Sequence, residues 1–283
     1  MRFKNWFFIL STLIILPGLF YLATSGLKLG IDFKGGTLLE YKFEKPVDQN
    51  KLNQYGVVVQ SGTNTYIIKT KSLDQKQLND LRNKINQQFG SFQTRREEIL
   101  SPLIGGEQEQ KAVTALILAC VAIVLYITFS FRKVPKPASS FRFGVAAIIA
   151  LIHDVLVVVG IFAILGKFLN IEVDTLFVTA LLTIIGFSVH DTIVVFDRIR
   201  ENLPKNLGKK FSEIADISIT QTLARSLNTS LTVVFVLFAL MLFGGETIRW
   251  FVVALLIGII SGTYSSIFNA TTFLVWWEER LGH

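Results

Sequence analysis

Little in this chain equips it for redox, metal or nucleotide chemistry. There is one cysteine, Cys120, so no intrachain disulfide can form. It stands in an apolar run with no polar base beside it, which makes it a small hydrophobe rather than a nucleophile. Three histidines, none clustered with Cys at zinc-ligand spacing, are too few for a metal centre. No Walker-type G-x-x-x-x-G-K-S/T loop occurs, so Gly35-Gly36 is not a phosphate cradle. No cofactor is expected, and any work must draw on an ion gradient. One charge crossing 100 mV releases about 2.3 kcal/mol, enough to bias a conformational equilibrium.

Charged residues are scarce as well, at 17% against 51% hydrophobic residues, with a mean hydropathy of +0.50. That is the balance of an integral membrane protein. A bilayer span needs about 20 mainly apolar residues, and roughly six stretches qualify: 6–25, 113–131, 143–165, 173–196, 227–243 and 250–276. The first has a basic start like a signal peptide. Its apolar run is too long for an h-region and no A-x-A-like site follows, so it reads as an uncleaved anchor. The net charge of +7 follows topology rather than nucleic acid. Arg2 and Lys4 precede the first span, Arg132, Lys133, Lys136 and Arg142 crowd the second-to-third connection, and Arg198, Arg200, Lys205, Lys209 and Lys210 follow the fourth. This Lys/Arg excess places both termini in the cytoplasm.

Between the first two spans lies one soluble region, 26–109, on the outer face by the same rule. It reads as strand (37–43), helix (47–54), strand (57–60), strand (65–70), helix (73–89) and strand (92–100). Leu78, Leu81, Ile85 and Phe89 keep helical spacing, Asp74 suits that helix's start and Gly90 its end. This is the split βαβ, ferredoxin-like order. The expected fold is therefore an integral membrane α-helical bundle with a small α+β ferredoxin-like extracytoplasmic domain. The domains divide as 1–25, first transmembrane helix; 26–109, outer domain; and 110–283, five-helix transmembrane domain. Within the last, a basic segment near 204–224 carries Phe211, Ile214, Ile217 and Leu223 at loosely helical intervals. It is expected to lie as an amphipathic helix on the cytoplasmic membrane surface, or to dock a cytosolic partner.

Two carboxylates fall inside apolar spans, each after a histidine: His153-Asp154 and His190-Asp191. A charge near the bilayer centre costs about 2.5–3.5 kcal/mol, so a retained acid usually serves a proton relay, an ion path or a counter-ion. Burial disfavours the charged form, so such a group can be neutral in one conformation and ionised in another. Asp191 is the first candidate, with Thr183, Gly186, His190 and Asp197 as a weakly polar stripe on its helix; a static interhelical bond is the alternative. Asp154, nearer the middle of its span, is a second relay member or a structural lock. His153 and His190 point about 100° away from their aspartates and read as contacts to other helices. On the fifth span Arg225, Asn228, Thr229 and Thr232 share one face. Arg225 is expected either to approach Asp191 as a switchable ion pair or to anchor at lipid phosphate. Gly258, Gly262 and Ser266, with Ser261, Ser265 and Asn269 beside them, mark close helix packing.

GIDFKGGT (30–37), the His-Asp of the third span, GFSVHDTIVVFDRIREN (186–202) and QTLARSLNTSLT (221–232) closely resemble the SecF family of the bacterial SecD–SecF protein export complex. The resemblance covers essentially the whole chain. It implies a proton-motive-force-driven accessory of the Sec translocon, not an enzyme, within the resistance-nodulation-division superfamily. It further implies SecD, the Sec translocon channel with its auxiliary membrane subunits, and unfolded exported polypeptide as partners. The family's functional carboxylate falls on Asp191 and its membrane arginine on Arg225, with a matching aspartate in SecD's membrane half. Related exporters carry about twelve spans, so a six-span chain is expected to need that other half. His190 stands where Asn is expected in other members. Two other classes fit less well. A small-molecule or ion exporter would need a much larger porter region outside the membrane. An intramembrane aspartyl protease would need a Gly-x-Gly-Asp, which the fourth span's G-F-S-V-H-D lacks.

Overall fold

The computed structural model describes residues 4–132, 134–135 and 138–280; Arg2, Lys133 and Lys136 of the charge pattern lie outside them. The chain runs α1 (Lys4–Ser25), α2 (Ile31–Lys34), β1 (Gly36–Phe43), α3 (Gln49–Leu52) with a 3-10 turn (Asn53–Tyr55), β2 (Val57–Gly62), β3 (Thr65–Thr70), α4 (Gln75–Phe89) and β4 (Phe92–Leu100). It continues as α5 (Pro102–Ser130), α6 (Ser140–Leu169), α7 (Thr175–Asn202), a 3-10 turn (Pro204–Asn206), α8 (Phe211–Phe243) and α9 (Glu246–Tyr264). A π turn (Ser265–Asn269) then joins α9 to α10 (Ala270–Arg280).

The four strands form one antiparallel sheet in the order β2-β3-β1-β4, the ferredoxin-like arrangement expected. β1 sits centrally, with Leu39 opposite Ile68 of β3 and Glu97 of β4. Its side chains alternate as a strand requires: Leu39, Tyr41 and Phe43 are buried and Lys42 is exposed. Leu78 and Ile85 of α4 close over the buried row, with Leu52, Val58, Tyr66 and Ile68 completing the core. α4 starts on a capping box, Asp74 accepting from Gln77 N while Gln77 returns a bond to Asp74 N.

Among the described residues six helices, counting α9 through α10 as one, are long and apolar enough to cross a membrane. α6, α7 and α9–α10 carry the bundle's buried face, whereas α1, α5 and α8 are mostly exposed along their apolar lengths. Phe131, Phe143 and Phe196 pack against one another near one end of the bundle. There Arg142 and Glu278 form an ion pair at 2.7 Å between the start of α6 and the end of α10. The sheet lies at the other end, over the α6–α7 loop through Lys69–Glu172 and facing the α8–α9 loop across a polar cleft.

Two boundaries differ from the sequence reading. α5 begins at Pro102, with Ser101 as N-cap and proline in the first turn, so the division expected after residue 109 falls inside a helix. The separate surface helix expected near 204–224 is instead the first part of α8, a single helix of 33 residues. At 1.5 Å per residue that is about 50 Å, well beyond the roughly 30 Å hydrocarbon core. Phe211, Ile214, Ala215 and Ile219 are buried in the same apolar cluster as Phe196, Ile199 and Leu274. Asn202 adds bonds to Ser218 and Gln221, both at 2.9 Å. The amphipathic pattern is real, but its apolar face meets protein.

Candidate functional site

α6, α7 and α9 meet in mid-bundle because small residues let them approach. A Cβ at Gly258 would overlap the side chain of Ile184. One at Gly262 would lie 3.2 Å from Ser188 Cβ and 3.5 Å from Asp154 Oδ2. This crossing presses Asp154, wholly buried, against α7.

Asp154 is densely partnered. Ser188 Oγ donates to Asp154 Oδ2, and His153 Nδ1 lies 3.0 Å from Oδ1. His153 Nε2 is 3.2 Å from Asn269 Nδ2, which also donates to Ser11 Oγ at 2.6 Å. An Nδ1–H tautomer satisfies both ring nitrogens at once, donating to the carboxylate and accepting from the amide. Ser266 Oγ donates to the Ser188 carbonyl at 2.9 Å and accepts from Thr192 Oγ1 at 2.8 Å. The π turn matters here. Its wider turn rotates the helix beyond it relative to α9, and Ser266 and Asn269 both lie within it.

Asp191 is equally buried, at 1% exposure, but sparsely held. Ser230 Oγ of α8 approaches Oδ2 at 3.3 Å, the Thr263 hydroxyl of α9 also bonds the carboxylate, and the two hydroxyls share a 2.6 Å hydrogen bond. Among the described residues no Lys or Arg forms an ion pair with it.

The expected approach of Arg225 to Asp191 is not what the structure holds. Arg225, Asn228, Thr229 and Thr232 are all exposed on the outer side of α8. Ser230, the residue turned toward Asp191, is five positions from Arg225, about 140° around the helix. On α7 the expected stripe divides: Thr183, Gly186 and His190 face outward, while Asp197 pairs with Arg200 at 2.5 Å near the helix end.

Sequence reasoning passed over the hydroxyls that touch the acids, Ser188, Ser230 and Thr263, and Thr192, which supports Ser188 and Ser266 beside them. A signal for one set is present. Ser218, Thr222, Ser226 and Ser230 recur every four residues and are all buried, the same small-residue interval that marks the sixth span. The more conspicuous charged stripe lies on another face of the same helix.

Comparison with known proteins covers nearly the whole chain. The family described as protein export membrane protein SecD/SecF, C-terminal, matches residues 80–280, and the SecD/SecF GG motif matches residues 20–47. The protein translocase subunit SecF of Thermobaculum terrenum is 50% identical, over 99% of this chain and 93% of its own length. That of Anaerolinea thermophila is 44% identical, over 96% and 92%. Among solved structures, SecDF of Thermus thermophilus, a translocon-associated membrane protein, superposes with a TM-score of 0.86 at 31% identity. The match covers 99% of this chain but 38% of that one. SecDF in its super-membrane-facing form gives 0.75, also at 31% identity, over 100% and 39%.

Proposed function

The chain belongs to the SecF family and is a membrane-embedded accessory subunit of Sec protein export, with SecD as partner; on that premise we propose that it uses the proton-motive force to assist translocation across the cytoplasmic membrane. The observation that carries this reading is Asp191: a carboxylate at 1% exposure, inside an apolar helix, with hydroxyl partners and no paired cation among the described residues. A charge so placed is poorly compensated. Taking up a proton therefore changes how α7, α8 and α9 can pack, and a gradient across the membrane can drive that change in one direction. Asp154 serves the scheme as the lock between α6, α7 and the π turn rather than as a carrier, because each of its oxygens already has a partner.

Both termini and the basic connections lie in the cytoplasm in this proposal, and the ferredoxin-like domain, 26–109, stands on the outer side with the unfolded exported chain and the Sec channel. The outward polar face of α8, Arg225 with Asn228, Thr229 and Thr232, is the surface that meets SecD's membrane half. A guanidinium and two threonines facing lipid would be costly, and the chain spans 38% of the SecDF chain it matches. Arg225 thus enters the relay across the partner interface, toward the aspartate expected there.

The test is Asp191→Asn in the assembled complex, reconstituted in energised vesicles. Gradient-stimulated export should disappear while assembly with the partner stays intact. Unchanged stimulation would refute the assignment.

A further inference from the structure

The GIDFKGGT segment takes no part in the site around Asp191, yet the fold holds it from two sides. Gly35, at φ +75°, packs so closely on the start of α5 that a Cβ would lie 2.6–2.9 Å from backbone atoms of Ser101 and Pro102. On the other side, Leu29 forms a parallel bridge with Val173. Gly30 N donates to the Val173 carbonyl at 2.8 Å, and Val173 N to the Lys28 carbonyl at 2.8 Å. Lys28 Nζ reaches Asn170 Oδ1 at 3.1 Å, and Lys69 of β3 pairs with Glu172 at 3.1 Å.

The links on this second side all end on the loop before α7. Asp32 reaches the helix itself. Its Oδ2 accepts from the backbone N–H of Thr175 at 3.0 Å and from Thr175 Oγ1 at 2.7 Å, across 143 positions of sequence. Thr175 opens α7, where backbone N–H groups lack helical partners and a negative charge suits the dipole. Asp174 caps a second of these groups, at Phe177 N, 3.0 Å away. Asp191 lies 16 residues further along the same helix, about 24 Å at helical rise.

We propose that Asp32 is a positioning residue that ties the outer domain to the fourth span, so that a displacement of α7 at Asp191 is delivered to the sheet as rigid-body motion. The proposal rests on the export reading above and assigns a task to the GG segment. The neighbouring links do not replace it: the backbone bonds at Val173 are neutral and weaker than the charge-assisted bonds that Asp32 makes, and a partly exposed ion pair such as Lys69–Glu172 holds weakly.

The test combines Asp32→Ala with Leu29→Cys and Val173→Cys in the assembled complex, with Cys120→Ser to remove the native thiol. Bridge partners lie about 4.8 Å apart, within the roughly 4.4–6.8 Å that a disulfide closes. In the reduced sample, gradient-stimulated export should fall about tenfold, a usual size for coupling between sites, while assembly and gradient-independent export match the parent complex. Amide hydrogen exchange at 175–178 should quicken. Oxidation of the same sample should restore both. Stimulation that persists when reduced, stays lost when oxidised, or vanishes together with assembly overturns the proposal. If the parent complex shows no gradient stimulation, the export reading falls instead, and exchange at 175–178 still decides: rates unmoved by Asp32→Ala overturn the joint, and rates that rise and are reset by oxidation support it.

Discussion

Asp154 and Asp191 occupy neighbouring helices, each follows a histidine, and neither is more than 1% exposed. Their surroundings nevertheless differ in kind. Asp154 has a donor on each oxygen and belongs to a chain of bonds from Ser11 through Asn269 and His153 to Ser188, Ser266 and Thr192. Among the described residues Asp191 meets only two hydroxyls, Ser230 at 3.3 Å and Thr263, and these are bonded to each other rather than to a longer network. Its histidine, His190, is exposed, whereas His153 is turned into the network. Burial alone does not make a switch. A fully partnered acid resists rearrangement, because breaking any bond strands a buried group, and a sparsely partnered one is free to change.

That contrast can be broken most plainly in export. Asp191→Asn is expected to abolish gradient-stimulated export, while Asp154→Asn keeps most of it; vesicle assays with the opposite ranking would exchange the roles of the two acids. Thermal unfolding in detergent sharpens the other side. Asp154→Ala should cost about 1–3 kcal/mol by stranding Ser188 and His153, and Asp191→Ala less than half of that. Equal losses would erase the distinction.

Arg225→Ala should reduce stimulated export about fivefold, through the partner, and leave the stability of the isolated chain within about 0.5 kcal/mol, as for other exposed sites. An unaltered export rate would return Arg225 to the role of a lipid anchor. The smallest effect concerns Asp174, at the outer edge of α7. Burial pushes its carboxyl above the ordinary range, the charge of Asp32 adds to this, and the Phe177 N–H and Lys69 oppose it. Its contribution to stability is therefore present at low pH and lost as pH rises through the raised pKa. Asp174→Asn should gain on the parent chain as pH rises above the ordinary carboxylate range of about 4, and a pH-independent difference between the two melting curves would contradict that.

Much of the fold was legible because local pattern reports burial. The alternation around Leu39, Tyr41 and Phe43 marks a one-faced strand, and the Leu78–Ile85 spacing marks the helix that covers it. What escaped depended on neighbours. The apolar residues of 211–219 are compatible with a lipid surface or a protein one, and Phe196, Ile199 and Leu274 settle which. The π turn has no local signature, since one added residue leaves the composition of Ser265–Asn269 unremarkable. In the site, the acids could be named from their apolar setting, but their partners could not, because hydroxyls occur on every face of α8.

The order of residues by itself determined that six helices are apolar enough to span, that a four-stranded sheet folds between the first two, and that two acids lie in the spans: each comes from periodicity and transfer cost over short windows. Only the tertiary structure decided that Asp191 meets Ser230 rather than Arg225, and that Asp32 reaches Thr175. A rotation of about 140° separates the two faces of α8, and no local sequence rule sets that angle; it comes from how α8 packs on α7 and α9, where Ser230 meets Asp191 and Thr263.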